Sequence, residues 1–373
     1  MIGVQAYGLC LPGGLSIDDL FMGQSALVRL PDDYPVVIGA PVTESLPTLD
    51  KCFGIQPRAA QLALSAVERL GDVPADCGLV LGMSSLFSEP EYLAHAMVHR
   101  NDCQRMSEVL GFGGDHVLHA LADTWRITGP RLRVDSACAS GADALIVACE
   151  WIRHDYVDRC LVVASAAMLN PIGLAVFKNL KALSTDDDLG ASRPFDRRRK
   201  GFVMGEGAAA VLLERGQGAC FSVQGWGQSM NGYKFTDMPE DLSAMSDAVR
   251  QAMGMGLDQV TYVSAHGTGT PSNDRAETML HRLVFGKRAI HVPISAIKSM
   301  TGHCLGASSL IEIVVAGESV KRQMAPPTIN LDVPDPACDL NYVARHAIPL
   351  NPGFALSQSF AFGGHNVAVM VSP

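Results

Sequence analysis

Charge is scarce in this 373-residue chain: 18% of residues are Asp, Glu, Lys or Arg, against 48% hydrophobic. That balance supports a large buried core, or two similar half-domains packed together. No apolar run approaches membrane-spanning length, and Met1-Ile2-Gly3-Val4-Gln5 lacks the basic start of a signal peptide. The ten cysteines contain no Cys-x-x-Cys pair, which leaves a structural zinc site without support. Such a chain is expected to be cytoplasmic and to keep its thiols reduced. Cys10, Cys52, Cys77, Cys149, Cys160, Cys220 and Cys338 then read as ordinary small residues. No stretch is low-complexity. No P-loop motif occurs, and Gly111-Phe112-Gly113-Gly114 lacks the spacing of a dinucleotide-binding turn. The net charge of −9 argues against nucleic acid as a main partner. An acidic protein partner stays open, since a local basic patch would serve it.

Three segments repeat one design: an apolar β-type run, a Gly-rich turn, then a helix. The first runs through Leu132 and Val134 into Asp135-Ser136-Ala137-Cys138-Ala139-Ser140-Gly141. A helix follows over Ala142 to Ile152, apolar nearly all round and so buried. The second is Val260 to Ser264, then Ala265-His266-Gly267-Thr268-Gly269-Thr270-Pro271, with a polar helix from about Asn273. The third is Val292 to Ser295, then Lys298-Ser299-Met300-Thr301-Gly302-His303, with a helix over Ala307 to Ser319. Further strands are expected at Leu79 to Leu81, Leu161 to Ala164, Ala208 to Leu213, Phe354 to Ser357 and Val367 to Val371. Strands alternating with helices predict a layered α/β protein. The first and third segments match in outline, Cys138-Ala139-Ser140-Gly141-Ala142-Asp143-Ala144-Leu145-Ile146 against Cys304-Leu305-Gly306-Ala307-Ser308-Ser309-Leu310-Ile311, which hints at duplication. Gly216 to Ala219 reads as a surface turn, so the expected halves are 1–217 and 218–373.

Cys138 is the expected nucleophile. A thiol at a helix N-terminus feels the positive end of the dipole and unpaired N–H groups, which favours thiolate. His266 and His303 each lie in a Gly-rich turn at the C-terminal end of a strand, where open α/β sheets place their sites. A thiol with two imidazoles makes a nucleophile with two donors or bases.

These motifs, with Arg193-Pro194-Phe195-Asp196, Gly201-Phe202-Val203-Met204-Gly205-Glu206-Gly207 and Phe362-Gly363-Gly364-His365-Asn366, resemble the β-ketoacyl-ACP synthases in order and spacing. The resemblance is strong from about Leu79 onward. It implies the thiolase fold, a duplicated five-layered α-β-α-β-α architecture, and a dimer, either a homodimer or a heterodimer with a second ketosynthase-like subunit. It implies that Cys138 carries the acyl chain and that His266 and His303 face the malonyl thioester carbonyl. The N–H groups of Cys138 and Phe362 would form an oxyanion hole, with Phe362 as a gate. Lys298 and Glu312 would tune and orient the histidines. Thr268 and Thr270 would hold the phosphopantetheine arm on which an acyl carrier protein delivers substrate; no other cofactor and no metal is implied. Asp274 and Glu277 read as acids at a helix N-terminus. Arg197, Arg198, Arg199 and Lys200 form a basic run in an acidic protein, and Arg199 matches an arginine that contacts the carrier in relatives.

Departures from the family pattern carry expectations too. The region before the Cys-bearing half is short, with a helix expected over Pro57 to Leu70. Ala361 stands where the family has glycine, and alanine reaches φ > 0 less cheaply, so a less mobile gate is expected. Leu110 to Ala120 is expected to line the acyl pocket or a dimer interface. Three rivals remain open: a chain-length factor, a thiolase, and a metal hydrolase using Cys138, His266 and His303 as ligands.

Overall fold

Alternating burial along the strands builds the molecule, described here from a computed structural model over residues 1–48, 58–83, 114–254 and 256–373. Among the described residues, ten strands form the main sheet. They are β1 (Ile2–Cys10), β2 (Gly78–Gly82), β3 (Arg131–Val134), β4 (Arg159–Ala166) and β5 (Gly207–Arg215), then β6 (Phe221–Met230), β7 (Val260–Ser264), β8 (Ile294–Ser295), β9 (Phe354–Phe360) and β10 (His365–Ser372). Their order is β3-β2-β4-β5-β1 in the first half and β8-β7-β9-β10-β6 in the second, and these five-stranded halves act as a first and a second sheet. The same topology therefore occurs twice. The halves join edge to edge where β1 pairs antiparallel with β6, Ile2 opposite Val223 and Val4 opposite Phe221.

In β4, Cys160, Val162 and Ala164 enter one hydrophobic cluster while Leu161 and Val163 enter another. In β10, Val367, Val369 and Val371 join the first cluster while Ala368 and Met370 join a third. Each sheet is thus buried on both faces, which a period of two with apolar residues at every position requires. Between the sheets lie α3 (Ser140–Arg153) and α7 (Leu305–Arg322), and all of Leu305 to Val320 is buried. Helices α1 (Arg58–Leu70) and α2 (Gly114–Thr124) cover the first sheet from outside; α4 (Pro171–Asn179) lies in its connection to β5. Helix α5 (Ser243–Met253) packs on the second sheet, with α6 (Pro271–Phe285) against it. The expected thiolase architecture of five layers follows.

The expected elements occur, most of them one to three residues longer at each end. The run at Val292 yields only two strand residues. Val117 of α2 packs in the outer cluster with α1. Residues 110–113 of the expected pocket segment lie outside the described residues, as does Cys52. Cys10, Cys77, Cys149, Cys160, Cys220 and Cys338 are free thiols.

Helices α3 and α7 touch through glycine: a Cβ on Gly141 would sit 2.8 Å from the Gly306 carbonyl oxygen and 2.9 Å from Leu310 Cβ. That approach sets the register of the expected match between the halves. Cys138 and His303 are 165 positions apart, and the same offset relates Ala137 to Gly302, Gly141 to Gly306 and Leu145 to Leu310. Cys138 thus corresponds to His303 and not to Cys304. Both are preceded by a left-handed residue, Ala137 at φ +52° and Gly302 at φ +62°.

Candidate active site

The two central helices begin side by side, and this brings Cys138 to His303. His303 Nε2 lies 3.1 Å from Cys138 Sγ, and its Nδ1 lies 3.0 Å from Ser308 Oγ. The His303 backbone runs beside the 201–207 motif: its N–H donates to Val203 O and its carbonyl accepts from Gly205 N. Gly205 is required there, since a Cβ would fall 2.3 Å from Thr301 O. Phe202 stands edge-on to the His303 ring at 5.1 Å.

His266 closes the other side, its ring edge-on to His303 at 5.5 Å between centroids. Its turn is pinned from below. Glu277, nearly two turns into α6, accepts the N–H groups of His266 (2.7 Å) and Gly267 (2.9 Å) through its two carboxylate oxygens. Lys298 Nζ donates to the His266 carbonyl at 2.7 Å, lies 3.5 Å from His266 Nδ1 and pairs with Glu312. Asp274 accepts from Phe195 N and Gly269 N, holding the loop that carries Thr268 and Thr270. Thr268 Oγ1 and Thr270 Oγ1 are 3.0 Å apart.

Burial controls the protonation states. It pushes the Cys138 thiol up to about 11, against the opposing pull of Lys298 and of the Phe362 and Cys138 N–H groups. The N–H groups pull toward thiolate as expected, but desolvation of the buried sulfur outweighs them. Burial, then the Lys298 charge, holds both His266 and His303 well below the usual histidine range, so both are neutral. Burial raises Glu312 and Glu277 to about 7 each; Lys298 acts against it at Glu312, the Gly267 N–H at Glu277.

Cys138, His266, His303, Thr268, Thr270 and Phe362 line one cavity of about 140 Å³. Phe362 stacks on Phe177 at 6.5 Å and meets Phe235 at 6.3 Å. Ala361 does not strain this gate: it is extended, at φ −106°, and the left-handed positions are Gly363 and Gly364. The expected effect of alanine at 361 thus has no basis in the backbone. The gate turn is held instead by Gly363 N donating to Phe235 O and Asn231 N donating to Gly364 O, each at 2.8 Å.

The basic run splits. Arg199 is buried, with Nη1 on Asp335 at 2.5 Å and Nε 3.3 Å from the fully buried Asp274, so it is a structural cation and not a docking residue. Arg198 pairs with Asp196 and Asp332. Arg197 is exposed, and Lys200 sits at the cavity mouth with Lys181, paired to Asp186. Lys181, Phe177, Phe235 and Ser308 escaped the sequence reading because they belong to none of its motifs. Ser308 alone carried a signal, five residues beyond His303 on the helix face that points back at it. Among the described residues no group of three or more His, Cys, Asp or Glu is placed to hold a metal.

The family profile described as "Beta-ketoacyl synthase, N-terminal domain" matches residues 52–219, and "Beta-ketoacyl synthase, C-terminal domain" matches residues 220–332. A putative polyketide beta-ketoacyl synthase 1 of Streptomyces halstedii is 39% identical over 273 residues, covering 70% of this chain and 65% of that protein. A 3-oxoacyl-[acyl-carrier-protein] synthase 2 of a Synechocystis strain is 38% identical over 253 residues, 65% of this chain and 61% of that one. The match thus spans less than two thirds of these relatives' length. A solved structure described as a type II polyketide synthase acyl-carrier protein in complex with its ketosynthase bound to the hexaketide superposes with a TM-score of 0.90. It is 26% identical, over 100% of this chain and 98% of that one. The chain belongs to the beta-ketoacyl synthase family.

Proposed function

We propose that the protein is a ketosynthase: it condenses an acyl thioester held on Cys138 with a malonyl thioester, with loss of CO₂. One observation carries this reading, a neutral thiol 3.1 Å from a neutral imidazole, with a second neutral imidazole in the same cavity. In acylation, the Cys138 sulfur attacks the acyl thioester while its proton passes to His303 Nε2. That step needs the proton on Nδ1, where Ser308 Oγ accepts it. The tetrahedral oxyanion lies toward the N–H groups of Cys138 and Phe362, which already face the sulfur. The departing thiol takes the proton back.

In condensation the roles change. Lys298 donates toward His266 Nδ1, so the His266 proton belongs on Nε2, which faces the cavity as a donor. A hydroxyl can donate or accept, so Ser308 also supports the His303 tautomer with Nε2–H. Two N–H donors then meet the enolate oxygen formed as the malonyl carbon–carbon bond breaks and CO₂ leaves. The enolate carbon attacks the acyl carbonyl, the carbon–sulfur bond breaks, and Cys138 leaves as thiolate to be reprotonated. Thr268 and Thr270, on the cavity wall, suit the amide groups of a phosphopantetheine arm. Lys181 and Lys200 at the mouth suit an acidic carrier protein.

The same reading extends to a cytoplasmic setting, to halves at 1–217 and 218–373, and to a second ketosynthase-like subunit. In support of the last, β3 is an outer edge of the main sheet and its Leu132 is 41% exposed. The test is incubation with malonyl carrier and a panel of acyl carriers, reading Cys138 by intact mass and CO₂ release. Loading is expected on the wild type and absent from Cys138→Ala. Loading that survives in that variant, or condensation without CO₂ release, overturns the reading.

A further inference from the structure

Ala137, the residue before the nucleophile, has φ +52°, a conformation that costs an alanine about 1 kcal/mol or more. Its counterpart in the second half is Gly302, also at positive φ (+62°), where glycine carries no such cost. Something must therefore hold the turn on the cysteine side. The fully buried Ser140 hydroxyl does so twice. It donates to the Ala137 carbonyl at 2.7 Å and accepts the Ser136 N–H at 3.0 Å. With alanine at 140 the Ser136 N–H would lose this acceptor and the Ala137 carbonyl would keep only the Ser140 backbone N–H, so Ala137 could relax toward negative φ. From the other side Gly306 closes the turn, since a Cβ there would sit 3.1 Å from Ala137 O and 3.2 Å from Ser140 Cβ.

We propose that Ser140 is a positioning residue: its hydroxyl holds Ala137 left-handed and so aims the Cys138 sulfur at His303 and the Cys138 N–H into the oxyanion position. The corresponding position in the second half is Leu305, which has no hydroxyl; Gly302 removes the need for one. The inference rests on Cys138 being the nucleophile.

The test compares Ser140→Ala, and Ser140→Ala combined with Ala137→Gly, with wild type. Alkylation of Cys138 by iodoacetamide, followed by peptide mass at neutral pH, reports the placement of the thiol whether or not the protein condenses malonyl thioesters. Acyl transfer reports the same placement through kcat. Ser140→Ala is expected to slow both, acyl transfer by about a hundredfold with KM unchanged. Ala137→Gly should restore most of the loss, because glycine adopts the turn unaided. A purely structural serine would lower the melting temperature without this rate pattern and without rescue by glycine. If Ser140→Ala alone does not fold, the double variant decides. Wild-type rates in Ser140→Ala, or a double variant that is unfolded or as slow as the single one, overturn the proposal.

Discussion

His303 Nε2 faces Cys138 Sγ at 3.1 Å, and both groups are uncharged at rest. This pair differs from a preformed thiolate–imidazolium couple, and the difference is measurable. With the thiol at about 11, alkylation of Cys138 should climb about tenfold per pH unit up to that value. An ordinary thiol levels off near about pH 8.5, and a plateau at or below that point rules the neutral pair out. His303→Ala should slow acyl transfer by about 10²- to 10⁴-fold at neutral pH, where a base is needed. The deficit should shrink toward pH 10, as solvent removes the proton instead.

Lys298 and Glu312 are each 1% exposed and face one another. Lys298→Met leaves Glu312 buried without its partner; in chemical denaturation well above the value of about 7 that burial gives this acid, the uncompensated carboxylate should cost about 3–5 kcal/mol, and less at lower pH, where it protonates. Adding Glu312→Gln should recover much of that stability. It should not recover decarboxylation, since Lys298 also sets the His266 tautomer. Full recovery of CO₂ release in the double variant would remove Lys298 from that role.

The basic run should separate in two assays. Arg199→Ala exposes the buried Asp274 to the same penalty and should lower the melting temperature. Lys181→Glu and Lys200→Glu are surface changes, worth within about 1 kcal/mol in stability. They should raise KM for carrier-borne substrates and leave KM for pantetheine-borne ones unchanged. Equal effects on both would move docking elsewhere.

At the gate, the family-like variant is the quiet one. Ala361→Gly should cost at most about 0.5–1 kcal/mol, from the looser unfolded chain, and leave acylation rates alone. Gly364→Ala should do the damage, because its φ is +85° and a Cβ would meet Asn231 O at 2.4 Å. Pre-steady-state acylation of the two variants tests the contrast; slower acylation in Ala361→Gly would restore the earlier expectation for that alanine.

Much of this protein was legible in one dimension. Apolar runs mark strands buried on both faces, and the alternation of strand and helix predicts layers. Gly-rich turns after strands mark Cys138, His266 and His303, since chemistry of this kind sits where a strand stops and a helix starts. The match between the halves left two registers open, one pairing Cys138 with Cys304 and one pairing Leu145 with Leu310, because small residues pair with each other in almost any register. Only the packing of Gly141 near Gly306 sets it.

The sequence by itself determined the element types, the fold family and the three side chains that meet in the cavity, because each is a local pattern of residue type and spacing. Tertiary structure alone decided protonation. The helix end promised Cys138 a thiolate, but two helices, two sheets and Phe362 enclose the sulfur, and desolvation prevails over the dipole. It also decided which cations are free: Arg199 and Lys200 are neighbours in the chain, yet one is buried on two carboxylates and the other reaches solvent. Burial depends on what long-range contacts place around a group, and no local spacing records that.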